Sequence, residues 1–96
     1  MEKSEEINLL KQCHAFPGPY VFKVIGDNTP AFAEAVLSEV SKELGEWIPQ
    51  GAHVQRRESS GGKYLSITLR VEVESAEQVL RFYERFSKLT GLRSLM

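Results

Sequence analysis

Ser59-Ser60-Gly61-Gly62-Lys63-Tyr64-Leu65-Ser66-Ile67-Thr68-Leu69-Arg70-Val71-Glu72-Val73 is the stretch on which the fold turns. From Lys63 onward it alternates without a break. Leu65, Ile67, Leu69, Val71 and Val73 fall on one side, and Tyr64, Ser66, Thr68, Arg70 and Glu72 on the other. Successive side chains of a strand point to opposite faces, so the pattern predicts a strand over 63–73 with one face in a core. The other face meets water or a partner. The serine–glycine cluster before it is a turn, and His53 to Glu58 before that reads as a polar edge strand, so the three predict a β-hairpin.

Downstream, Ser75-Ala76-Glu77-Gln78 has the spacing of a capping box, serine and glutamine serving each other's helix end. Val79, Phe82, Tyr83 and Phe86 then repeat at helical spacing, with Gly91 expected to close the helix and 92–96 to form a last strand. Upstream, Tyr20-Val21-Phe22-Lys23-Val24-Ile25 is β-branched and aromatic, a central strand stopped by Gly26-Asp27-Asn28. Thr29-Pro30 opens a helix, threonine as N-cap and proline at the first helical position. Phe32, Val36, Val40 and Leu44, widened by Ala33 and Leu37, form its apolar stripe, with Glu34, Glu39, Lys42 and Glu43 on the remaining surface. Gly45 ends it, and a loop containing Trp47, Pro49 and Gly51 follows. Ser4 to Cys13 is weakly helical and stops before Phe16-Pro17-Gly18-Pro19, whose prolines lack the N–H a helix interior needs.

Strand, helix, strand, strand, helix, strand is the α+β ferredoxin-like split βαβ order, βαββαβ. It predicts a four-stranded antiparallel sheet with two helices on one face, because right-handed crossovers put both helices on the same side. A short N-terminal helical leader over 1–15 precedes a single domain over 16–96. At 96 residues and 10.9 kDa, one such unit and its leader account for the whole length, leaving no room for a separate catalytic domain.

Composition narrows the function classes. A net charge of −1 gives no bulk attraction to nucleic acid or acidic membranes. One cysteine excludes an internal disulfide and an all-cysteine metal site. The polar, acidic N-terminus carries no signal region, and no apolar run approaches the roughly 18–20 residues of a membrane span, so a cytoplasmic location is expected. The charge is nevertheless uneven: residues 1–50 hold four Lys/Arg against eight Asp/Glu, and residues 51–96 hold eight against five.

Phe16-Pro17, Lys23-Val24-Ile25-Gly26, the hairpin from Ser59 to Thr68, and Glu77-Gln78-Val79 with Tyr83 together resemble the YbeD-like family of small bacterial proteins. The likeness runs from about Phe16 to Met96, and the serine–glycine–tyrosine–serine hairpin is its most specific piece. Ile25 stands where methionine is common, and Ser94 lies in a strand that is usually more apolar. The resemblance implies a ferredoxin-like fold similar to the regulatory, ACT-like domains of amino-acid metabolic enzymes, and no catalytic motif. Such domains associate sheet to sheet or edge to edge and bind small effectors near those junctions, which implies a homodimer or another cytoplasmic protein as partner. Their effector loop follows the first strand, so Gly26, Asp27, Asn28 and Thr29 form the corresponding candidate loop, with Asp27 placed to meet an amine. The plainer reading of that segment is a turn and an N-cap.

No catalytic residue, cofactor or metal is expected. Gly61-Gly62-Lys63 lacks the earlier glycine, the following hydroxyl and the helix of a phosphate-binding loop. Cys13-His14 with His53 has no recognised metal-ligand spacing. Glu72 and Glu74, two apart on one strand, read as solvated charge rather than a catalytic pair, and no Gly-x-Ser-x-Gly elbow occurs. The face to suspect is the open side of the sheet. Tyr64, Ser66, Thr68 and Arg70 come from the hairpin, and Val21, Lys23 and Ile25 from the first strand. Arg93 and Leu95 join from the last, and Arg56 or Arg57 from the second, depending on register. This predicts a regulatory or protein-interaction module. The alternative, a single-stranded RNA-binding face using Tyr64, Lys23 and Arg70, has one candidate stacking residue where such sheets use several aromatics.

Overall fold

The computed structural model describes residues 3–13, 15–45 and 52–96. Along the chain these form α1 (Lys3–Cys13), β1 (Gly18–Asp27), α2 (Pro30–Leu44), β2 (Ala52–Glu58), β3 (Tyr64–Val73), α3 (Ala76–Ser87) and β4 (Leu92–Leu95). The strands pair antiparallel in the order β2-β3-β1-β4, so β1 and β3 are central and the fold is the ferredoxin-like one expected. The expected loop at Trp47, Pro49 and Gly51 lies outside the described residues.

Hydroxyl caps start both long helices. Thr29 Oγ1 accepts from Phe32 N–H at 3.1 Å, and Ser75 Oγ accepts from Gln78 N–H at 3.2 Å, each satisfying a donor the first turn would leave unpaired. Gly45 ends α2 at φ 70°, a conformation open to glycine without a Cβ clash. The alternating residues of β3, from Leu65 to Val73, are all buried. They meet Phe22 and Val24 of β1, Phe32, Ala33, Val36 and Val40 of α2, and Val79, Phe82 and Phe86 of α3. Phe22 is the hub: its ring centroid lies 4.9–5.6 Å from those of Tyr20, Phe82, Tyr83 and Phe86. These are the separations at which aromatic pairs attract. At the margin of this cluster the Tyr20 and Tyr83 hydroxyls lie 3.1 Å apart. Burial, reinforced by that bond, raises the Tyr83 phenol above its ordinary range. α1 packs against α3, with Leu10 resting on the core and Lys11 4.0 Å from Glu77.

Five local expectations are corrected. β1 reaches from Gly18 to Asp27, longer at both ends than the apolar run over 20–25. Pro19 is tolerated because its missing donor faces the side where β4 has already ended, Met96 pairing no further along than Lys23. Gly26 belongs to the strand because the Phe32 ring covers it; a Cβ there would sit 2.2 Å from the ring. The capping box is displaced: Gln78 Oε1 accepts from Glu74 N–H at 2.8 Å, one residue before the N-cap. Glu74 lies past the end of β3, so it does not share a strand with Glu72. α3 ends at Lys88, while Gly91, at φ 87°, makes the turn into β4.

Candidate functional site

Register decides which side chains the open face gathers. β1, β3 and β2 set Val21 beside Arg70 and His53, Lys23 beside Thr68 and Gln55, and Ile25 beside Ser66 and Arg57. Directly opposed residues of neighbouring strands share a face, so these three rows form one surface, with Tyr64 beyond them opposite Asp27. The open choice between the two arginines resolves to Arg57; Arg56 opposes the buried Ile67 and leaves the strand on the helix side. β4 adds Ser94 beside Ile25, and Met96 exchanges two 2.9 Å backbone hydrogen bonds with Lys23.

Leu95 is a correction. The register of β1 and β4 shifts between Ile25 and Gly26, so Leu95 opposes Val24 and packs on the core instead of facing outward. The extra residue in that irregularity is Arg93, whose Nε donates to Asp27 Oδ1 at 3.0 Å at the corner of the face.

Chemically the surface is a field of donors. Lys23, Arg57 and Arg70 are exposed, and none of the three has an ion-pair partner among the described residues. Lys23, Gln55, Arg56, Arg57, Ser66 and Thr68 line a shallow depression. Among these cations stand apolar side chains, Val21 at 54% and Met96 at 56% exposure, with half-buried Ile25 beyond Lys23 on β1. Such a surface suits carboxylate or phosphate groups flanked by apolar contacts. Tyr64 is half-buried, and Lys63 Nζ sits 5.4 Å from its ring centroid.

The candidate effector loop is engaged in the fold. Gly26 lies under Phe32, Asp27 holds Arg93, and Asn28 Nδ2 donates to Gly62 O at 2.9 Å, tying the loop to the hairpin turn. Thr29 caps α2, and a ligand amine at Asp27 would compete with the Arg93 guanidinium. The serine–glycine turn is similarly self-satisfied, Gly62 N–H donating to Ser59 O at 2.8 Å and Tyr64 N–H to Ser59 Oγ at 3.1 Å. Of the residues weighed for a metal, His14 lies outside the described residues and His53 is exposed on β2.

One constellation was missed from sequence. On the outer surface of the helices, Glu43 accepts from Arg81 Nε at 3.1 Å and from Arg85 Nε at 3.0 Å, and Arg85 reaches Glu39 at 3.4 Å. Only 6% of the Glu43 side chain is exposed. Burial alone would push its carboxyl up, but the two guanidiniums outweigh that and hold it below the usual carboxylate range. Arg85 is shifted up, chiefly by its bond to Glu43. The signal was present as two four-residue spacings, Glu39/Glu43 and Arg81/Arg85, but only the packing of α2 on α3 joins them.

A family model described as a protein of unknown function (DUF493) matches residues 11–96. The UPF0250 protein of Shewanella woodyi is 34% identical over 82 residues, covering 84% of this chain and 88% of that one. The UPF0250 protein of Haemophilus influenzae strain Rd is 30% identical over 88 residues, covering 91% and 90%. Among solved structures, protein HP0495 from H. pylori superposes with a TM-score of 0.68 at 17% identity, over 86% of this chain and 85% of that one, a likeness of fold.

Proposed function

The chain belongs to the DUF493 family, the YbeD-like UPF0250 proteins of bacteria, and on that footing we propose that it is a non-enzymatic interaction module. In this reading it works in the cytoplasm as a regulatory adaptor, and its open sheet face receives an acidic surface of another protein. One observation carries the proposal: Lys23, Arg57 and Arg70, with no ion-pair partner among the described residues, stand on the same face as exposed Val21 and Met96. Unpaired cations around apolar contacts are the composition of a polar-rimmed interface, where charge steers and orients while apolar burial holds. A second copy laid face to face would set these cations against their own counterparts, so the favoured partner is a different, acidic chain. Nucleic acid is the weaker reading, because half-buried Tyr64 is the one aromatic side chain on the face among the described residues.

The test is charge reversal. Immobilised wild-type protein is expected to retain a host protein at low salt and release it at high salt, and Lys23→Glu/Arg70→Glu to retain none. Equal retention by the reversed variant overturns the reading. Salt-sensitive binding of a short oligouridine, abolished by Tyr64→Ala, would replace it with the RNA alternative.

A further inference from the structure

The two edges of the sheet are finished differently. β4 has four residues and meets β1 across a register shift, with Arg93 drawn to Asp27. A short, irregular edge is a poor template for another strand. β2 runs seven residues in unbroken register with β3, from Ala52 opposite Val71 to Glu58 opposite Leu65.

The ladder fixes which of its backbone groups are free. Ser59 N–H donates to Tyr64 O at 2.9 Å, so the alternation of an antiparallel pair turns the N–H and C=O of Arg57, Gln55 and His53 toward β3. Those of Glu58, Arg56 and Val54 point away from the sheet, where no further strand of the described residues pairs with them. Arg56 and Arg57 leave this edge on opposite sides, are exposed, and have no ion-pair partner among the described residues.

We propose that β2 is the docking edge for an extended acidic segment of a partner protein, which adds as a fifth strand. Consecutive side chains of a strand point to opposite faces. Two adjacent acidic residues in the incoming segment therefore meet Arg57 on the open face and Arg56 on the helix side. Backbone bonds to Val54, Arg56 and Glu58 supply register-independent affinity, and the two arginines choose the sequence. A second copy is disfavoured as occupant, since pairing two β2 strands crowds four arginines into one short ribbon. This inference rests on the acidic-partner reading and names the element by which that partner is gripped.

The probe is a capped octapeptide with two consecutive glutamates between threonine–valine repeats, titrated by fluorescence anisotropy. Arg56→Pro removes an outward N–H while leaving the β2–β3 ladder intact, so the variant is expected to keep its circular dichroism. It should weaken the peptide by about tenfold or more, as should Arg56→Gln/Arg57→Gln, which leaves the backbone unchanged, and a lysine-for-glutamate peptide. Equal binding by folded Arg56→Pro and wild type overturns the proposal, as does no binding of the glutamate peptide by wild type. Self-association in sedimentation that Arg56→Pro abolishes overturns it in favour of a second copy. If Lys23→Glu/Arg70→Glu releases the host partner while the peptide never binds, the face reading stands and the edge reading fails.

Discussion

The outer surface of the helices and the open face of the sheet use the same residue types to opposite ends. Between α2 and α3, Arg81 and Arg85 close on Glu43 and Glu39, so each guanidinium has a carboxylate and Glu43 is nearly out of water. On the sheet, Arg57, Arg70 and Lys23 stand among hydroxyls and apolar side chains with no ion pair among the described residues, although Glu72 shares the face two residues from Arg70. What an arginine does here is set by what the fold puts opposite it. On the helices it clasps two elements together; on the sheet it contributes little to stability and stays available to something outside the chain.

Removing what both surfaces share should have the largest effect. Phe22→Ala empties the hub of the aromatic cluster between them and is expected to cost about 3–5 kcal/mol in urea unfolding, eroding both at once. Gly26→Ala should come next, at about 1–3 kcal/mol in the same measurement, because its methyl must displace the Phe32 ring.

Glu43→Gln tests the clasp alone and is expected to cost about 1–2 kcal/mol, since Arg81 and Arg85 are exposed enough to recover some hydration. The same pair of proteins has a pH signature. The folded carboxyl of Glu43 lies below its unfolded value, so its contribution is complete above that unfolded value and fades as pH falls through the folded one. The difference in melting temperature between wild type and Glu43→Gln should therefore shrink on acidification below about pH 4. A difference that stays constant down to pH 2 would argue against the clasp.

The smallest stability change is expected on the other surface. Lys23→Glu/Arg70→Glu should move unfolding by no more than about 0.5 kcal/mol, while removing partner capture. A large loss of stability instead would mean that the face is held by its own charges and erase the contrast between the two surfaces.

How much could be read in advance varied with the range of the interactions involved. The buried face of β3, the threonine and serine caps and the apolar stripes of α2 and α3 are local patterns, and each appears where its spacing indicates. β1 outran its apolar run because Pro19 is harmless only where β4 is missing, and Gly26 fits only under Phe32. Both conditions involve residues distant along the chain. The open-face residues Val21, Lys23, Ile25, Tyr64, Ser66, Thr68 and Arg70 followed from alternation alone, whereas Leu95 did not, because one register shift reverses every side chain beyond it.

Sequence by itself determined the order of elements, the side of each strand that enters the core, and therefore that one sheet face stays open. Hydrophobic periodicity and helix caps act over a few residues, so they are legible without neighbours. Tertiary structure alone decided that Arg57 rather than Arg56 joins that face, that Asp27 is held by Arg93, and that Glu43 is gripped by two arginines. Each of those depends on strand register or helix adjacency, and a charge acquires a partner only when packing brings one within a few ångströms.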